Sequence, residues 1–191
     1  MFGPSLTGRT LIWHRVSVPP GGWAYTLNEE LVADVAWSGD ERAYRIEVAD
    51  EVWRVAFSRG PLLRGMLTTP GDSVQLVCAG SVGRGLIRTR EGEGFSWYSQ
   101  VSLREGPWSG IDDARGVGVC RTRGRMRRGF WYEVSVTPDP AYERVVLPLL
   151  LVWGALHVHG RRRPWLRLAT AFTSERTLRR VLEDLATTLT F

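Results

Sequence analysis

The chain has 191 residues, 43% hydrophobic and 24% charged, with a formal net charge of +5. That length fits one domain with a real core, and the composition is globular rather than disordered or fibrous. The charge does not mark a nucleic-acid binder: residues 1–159 hold 18 Arg against 17 Asp and Glu, and the surplus lies in residues 160–191, with 7 against 3.

The first residues, MFGPSLTGRTLIWHR, contain no apolar h-region and no cleavage signal, so a cytoplasmic location is expected. From residue 11 to 137 the chain reads almost continuously as short strands. YRIEV (44–48) and VWRVAF (52–57) alternate apolar and polar side chains. FSWYSQVSL (95–103) sets Phe95, Trp97, Ser99, Val101 and Leu103 on one face, and FWYEVSV (130–136) does the same with Phe130, Tyr132, Val134 and Val136. A period of two belongs to strands with one face buried and one in water. Turn signals separate them: PPGG (19–22), SGDE (38–41), TPGD (69–72), GSVGRG (80–85), REGEG (90–94) and DDARG (112–116). Many short strands at this spacing point to an antiparallel meander, as a sandwich or a barrel.

After residue 137 the period changes. In PDPAYERVVLPLLLVWGALHVHG, Asp139 reads as an N-cap, Pro140 as the first helical residue and Gly160 as the stop. Pro148 is expected to kink the helix or mark a restart. Arg161, Arg162 and Arg163 follow where the helix dipole favours positive charge. The uninterrupted apolar part, Val145 to Leu156, spans 12 residues, about 18 Å as a helix. A bilayer core needs about 30 Å. A helix apolar on all sides must be surrounded, and the strands are the available partner; the alternative is a membrane anchor over 144–160.

The last stretch, SERTLRRVLEDLATTL, places Leu178, Val181, Leu182, Leu185 and Leu189 at helical spacing, with Arg and acidic residues opposite. Ser174 suits its N-cap. This one-sided helix docks either on its own strands or on a partner protein.

The succession of about a dozen strands ending in one wholly apolar helix resembles the tubby C-terminal-like superfamily. That group includes tubby proteins, phospholipid scramblases and LURP-one-related proteins. DDARGVGVCR (112–121), FWYEVSVTPDP (130–140) and RVVLPLLLVWGALHV (144–158) look like the end of its barrel and its central helix. LVADVAW (31–37) with EVWRVAF (51–57) is similar to paired hairpins of uncharacterised bacterial members. The resemblance covers roughly residues 11–159. It implies a mainly β fold: a closed antiparallel β-barrel of about 12 short strands around a central hydrophobic helix, 140–159. Residues 1–160 would form this domain, and 161–191 a basic extension with the amphipathic helix. Tubby domains bind phosphoinositides through basic side chains, and scramblases are tied to calcium and lipid movement. This chain has no lysine for the mixed Lys/Arg phosphoinositide site and no D-x-[DN]-x-[DN]-G cluster for calcium.

Signals of catalysis are absent from the sequence. There is no G-x-S-x-G, no Walker A and no H-E-x-x-H, and GSVGRG is not followed by a helix. His157 and His159 are two apart, so on a helix they diverge and chelate poorly; capping the helix or meeting solvent suits them better. Cys78 and Cys120 fit no zinc spacing and read as buried thiols. Asp112 and Asp113 read as a hairpin turn. No enzyme activity, cofactor or metal is expected.

One feature carries chemistry: RTRGRMRR (121–128), read as a hairpin tip bearing Arg121, Arg123, Arg125, Arg127 and Arg128. Arginine forks grip phosphate. With Arg161, Arg162 and Arg163 they form a candidate anion- and lipid-binding surface, which would set the protein peripherally at the inner membrane. The expected function is a non-enzymatic cytoplasmic binding module for an anionic phospholipid surface. The alternatives are a protein partner docked on Leu178, Val181, Leu182, Leu185 and Leu189, or the anchor at 144–160. Nucleic acid ranks lower, because the aromatic residues are not interleaved with the arginines.

Overall fold

The computed structural model describes residues 5–16, 22–58, 62–71, 73–81, 83–102, 106–125, 131–162 and 174–188. Twelve strands follow in order: β1 (Thr10–Arg15), β2 (Trp23–Leu27), β3 (Glu30–Ser38), β4 (Ala43–Val48), β5 (Glu51–Phe57) and β6 (Leu63–Thr68). They continue as β7 (Val74–Gly80), β8 (Arg84–Thr89), β9 (Gly94–Ser102), β10 (Gly106–Asp113), β11 (Gly118–Arg125) and β12 (Trp131–Val136). Each pairs antiparallel with its successor. β1 also pairs with β12, from Thr10 opposite Ser135 to His14 opposite Trp131, which closes the barrel.

The alternation of the sequence becomes the inside and outside of the wall. β12 turns Tyr132, Val134 and Val136 inward, while Trp131, Glu133 and Ser135 are less buried. β5 does so with Trp53 and Val55 against Arg54. Two described hairpins lack a glycine signal, β2–β3 and β4–β5, whose turn is Ala49–Asp50 with φ of 51° at Ala49. The two-residue turn between β2 and β3 is built from Asn28 and Glu29, with φ of 52° and 71°, the left-handed pair that a type I′ turn requires.

The lumen is filled. After a 3-10 turn at Pro140–Tyr142, helix α1 (Val146–Arg162) passes through the barrel. Leu149, Leu150, Leu151, Val152, Ala155 and Leu156 are at most 3% exposed, although they lie on every side of the helix. They form one cluster with inward residues from all twelve strands, Ile87 of β8 and Ile111 of β10 among them. The Tyr25 hydroxyl of β2 donates to the Leu150 carbonyl at 2.8 Å. Gly154 lets the wall come close: a Cβ there would lie 3.0 Å from the Trp13 ring and 3.2 Å from that of Tyr25.

Several boundaries differ from the sequence expectation. Asp139 does cap, its carboxylate accepting from the Ala141 N–H at 2.9 Å, but what it caps is the 3-10 turn. Pro148 falls in the first turn of α1. Backbone N–H groups there have no intrahelical acceptor, so proline removes nothing and no kink is called for. Gly160 is not the stop, since α1 runs on to Arg162. The segment named as the membrane-anchor alternative, 144–160, has its apolar residues packed against the strands. No described helix is long and apolar enough to cross a membrane.

Helix α2 (Glu175–Thr188) lies outside the barrel. Ser174 caps it, accepting from the Thr177 N–H at 3.2 Å. Leu178, Val181 and Leu182 are buried and Leu185 partly so; Val181, Leu182 and Leu185 pack on Val77 and Ala79 of β7, beside Leu62, Val74 and Leu86. The stripe offered to a partner by the sequence is thus covered by the chain's own wall; Leu189 lies outside the described residues.

The packing gives a direct test. Leu149→Ala, at a fully buried position inside the barrel, is expected to lower the free energy of unfolding by about 2–5 kcal/mol in urea titrations. Leu31→Ala, at a position 64% exposed, should change it by less than about 0.5 kcal/mol.

Candidate functional site

In a closed meander of antiparallel strands, the connections alternate between two ends. One end carries the connections after β1, β3, β5, β7, β9 and β11, and the other those after the even-numbered strands. α1 starts at the second end. There the Tyr142 hydroxyl donates to Asp113 at 3.0 Å, and Glu143 accepts from the hydroxyls of Ser5 and Thr7 at 2.7 and 2.8 Å. It finishes at the first end. His157 lies against Trp23 and Tyr132, with ring centroids 4.9 and 4.8 Å away, and His159 lies against Tyr44 and Phe57.

This threading sets the end of β11 and the end of α1 at the same end of the barrel. Arg125 ends β11, opposite Trp131 at the start of β12, and so stands at the end where Arg161 and Arg162 close α1. The same end holds Arg15, Arg42, Arg64 and Arg84, from four other hairpins. Its acids among the described turn residues are Asp40 and Glu41, and Glu41 accepts from Arg54 at 3.0 Å. The opposite end has the reverse character: Glu29, Glu30, Asp50, Glu51, Glu91, Glu93, Asp113, Asp139 and Glu143 outnumber Arg9, Arg88, Arg90, Arg115 and Arg144. The barrel is electrically polarised along its axis.

The arginine stretch itself differs from the expected tip. Arg121, Arg123 and Arg125 occupy alternate positions within β11, while Thr122 and Gly124 face in. Arg121 is held in the wall. Its guanidinium donates to the Asp112 carboxylate and lies 5.3 Å over the Tyr98 ring. It is therefore not part of the basic end. Arg123 is exposed further along β11, opposite Glu133. Arg127, Arg128 and Arg163 lie outside the described residues. Sequence reading missed Arg15, Arg42, Arg64 and Arg84 because their gathering depends on counting hairpins around a closed wall. No local motif signals it.

The histidines also differ from expectation. His159 is 5% exposed and its Nδ1 is 3.0 Å from the Tyr44 hydroxyl, so it belongs to the core rather than to solvent. His157 sits among the rings of Trp13, Trp23, Tyr132 and Trp153. Cys78 and Cys120 are buried free thiols, each pushed up to about 12 by burial, so neither is a ready nucleophile at neutral pH. Among the described residues no group of three or more His, Cys, Asp or Glu is placed to hold a metal ion.

The outer wall carries charge at mid-strand: Arg45 pairs with Glu47 at 3.1 Å, and Arg54 reaches Glu41. A membrane-spanning barrel needs an apolar outward band at that level. No family model matches this chain, and no curated protein does. Among solved structures it is similar to a porin-like protein from Bacteroides uniformis ATCC 8492, at 8% identity and a TM-score of 0.33. The match covers 71% of this chain and 58% of that one, and a likeness so slight carries no argument.

At the acidic end, Asp113 is the anchor of the β10–β11 turn. Desolvation raises its pKa, but the Val117 N–H, the Arg115 guanidinium, the Tyr142 hydroxyl and the Arg115 N–H outweigh it and bring it to about 2. A carboxyl depressed on folding stabilises above its unfolded value and loses that contribution as pH falls through its folded one. Asp113→Asn should therefore unfold at lower denaturant than wild type above about pH 4. The gap should close as pH approaches about 2, which equilibrium unfolding at a series of pH values will show.

Proposed function

We propose that this chain is a tubby-like, non-enzymatic binding module whose basic barrel end meets anionic membrane lipid at the cytoplasmic face. The observation that carries this reading is the charge asymmetry of the two barrel ends: Arg15, Arg42, Arg64 and Arg84 stand at the end where β11 and α1 finish, and the acidic turns stand at the other. Three supports add to it. The end is basic over several hairpins, so it is a surface rather than a single contact. The far end is acidic, which orients the barrel by repelling a negative surface. Arg161 and Arg162 close the last turn of α1, where the helix dipole keeps positive charge in place. Arginine suits the task, because its planar fork binds phosphate oxygens in pairs. The resemblance to lipid-contacting barrels points the same way. A partner docked through the α2 leucine stripe has less support, since that stripe lies on β7.

Flotation with vesicles tests the reading. The full-length protein should float with phosphatidylserine vesicles at about 50 mM salt, less at about 200 mM, and not with phosphatidylcholine alone. Each basic residue near such a surface contributes about 1 kcal/mol. Replacing Arg125, Arg161 and Arg162 by Gln should then weaken binding about a hundredfold, whereas Arg9→Gln at the acidic end should not. A folded protein that floats with neither vesicle at either salt ends the proposal.

A further inference from the structure

We propose that the cleft between α2 and the barrel wall is a binding site for a small carboxylic acid with an apolar tail. The cleft has a volume of about 530 Å³, the size of small-molecule sites. Its floor is the outer face of β8 and β9, and its existence follows from two residues. Gly94 stands opposite Arg88 and Ser96 opposite Leu86. A Cβ at Gly94 would meet nothing within 4 Å, so the wall is bare there. α2 then forms the side of the recess with Leu178 and Leu182.

The polar groups in this recess define the ligand. Arg88 and Ser96 line it, and among the described residues neither side chain has a hydrogen-bond or ion-pair partner. The neighbouring acids are engaged elsewhere: Glu175 accepts from Arg179 at 2.6 Å, and Asp113 is held by Arg115 and Tyr142. Glu183 also lines the cleft, from the exposed edge of α2, and Arg84 and Arg179 line it as well. On the floor itself, Arg88 and Ser96 offer a guanidinium and a hydroxyl with no partner among the described residues, beside Leu86, Leu178 and Leu182. A carboxylate satisfies the guanidinium fork and takes a hydrogen bond from Ser96. A tail of several methylenes covers the leucines. A cationic ligand meets Arg88 unfavourably, and a neutral one leaves its charge unanswered. The site lies on the side wall and does not rest on the lipid reading.

Octanoate and octanol are the probes, measured by titration calorimetry on the full-length protein without vesicles. Octanoate should bind about tenfold more tightly than octanol, because only it forms a charge-assisted pair. Arg88→Gln should remove that difference. Gly94→Leu, which fills open space on a strand, should weaken both probes while leaving the unfolding midpoint and vesicle flotation unchanged. The proposal is overturned if octanoate does not bind, if the two probes bind wild type equally, or if Gly94→Leu binds octanoate as wild type does.

Discussion

A helix that is apolar on every side has no stable place in water, and this chain contains one. Val146–Arg162 exposes no polar stripe over most of its length, so whatever encloses it must do so completely. A sandwich would cover two sides of such a helix. A closed wall covers all of them, and closure needs β1 and β12, the first and last strands, to meet. They do so over five residue pairs. The helix explains why the barrel has no empty lumen, and the barrel gives every apolar side of the helix its cover. Helix and strands thus share one hydrophobic core.

Threading also has an electrical consequence. Because α1 enters at one end of the barrel and leaves at the other, its Asp139–Glu143 approach and its Arg161–Arg162 exit are forced apart by the length of the lumen. The hairpins reinforce the same split. Acidic turns such as Ala49–Asp50–Glu51 lie with the entrance, and strand-end arginines such as Arg15 and Arg84 lie with the exit. A net charge of +5 spread evenly would give a weak field. Separated along one axis, the same charges give the molecule a face and a back, and that asymmetry is what a surface reads.

Much of this was legible in the sequence because it depends on local period. The alternation in 44–48, 52–57 and 130–136 and the all-round apolarity of 145–156 are written in adjacent residues, and they led to an antiparallel meander, sandwich or barrel, with a buried helix; the closed barrel around that helix was what the family resemblance implied. What was not legible depends on context. Asn28–Glu29 makes a left-handed turn without glycine because the paired strands on either side impose it. Pro148 reads as a breaker unless the preceding turn is known to be 3-10, which moves the helix start to Val146. The arginines of 121–128 read as a hairpin tip because strand length cannot be judged from charge. β11 extends to Arg125, so Arg121 sits in the wall, paired with Asp112 across the β10–β11 ladder.

The side cleft shows the same lesson from the other direction. Gly94 and Ser96 weaken β9 as a packing surface, and nothing nearby in sequence repairs it. The repair comes from α2, whose leucines settle on β7 one strand beyond β8 and leave β8 and β9 only partly roofed. Its offset position covers the apolar β7 face and leaves Arg88 open to solvent on one side and apolar surface on the other. Small residues beneath, leucines beside and one guanidinium between them are the three ingredients of a site for an amphipathic anion, and they come from two distant parts of the chain.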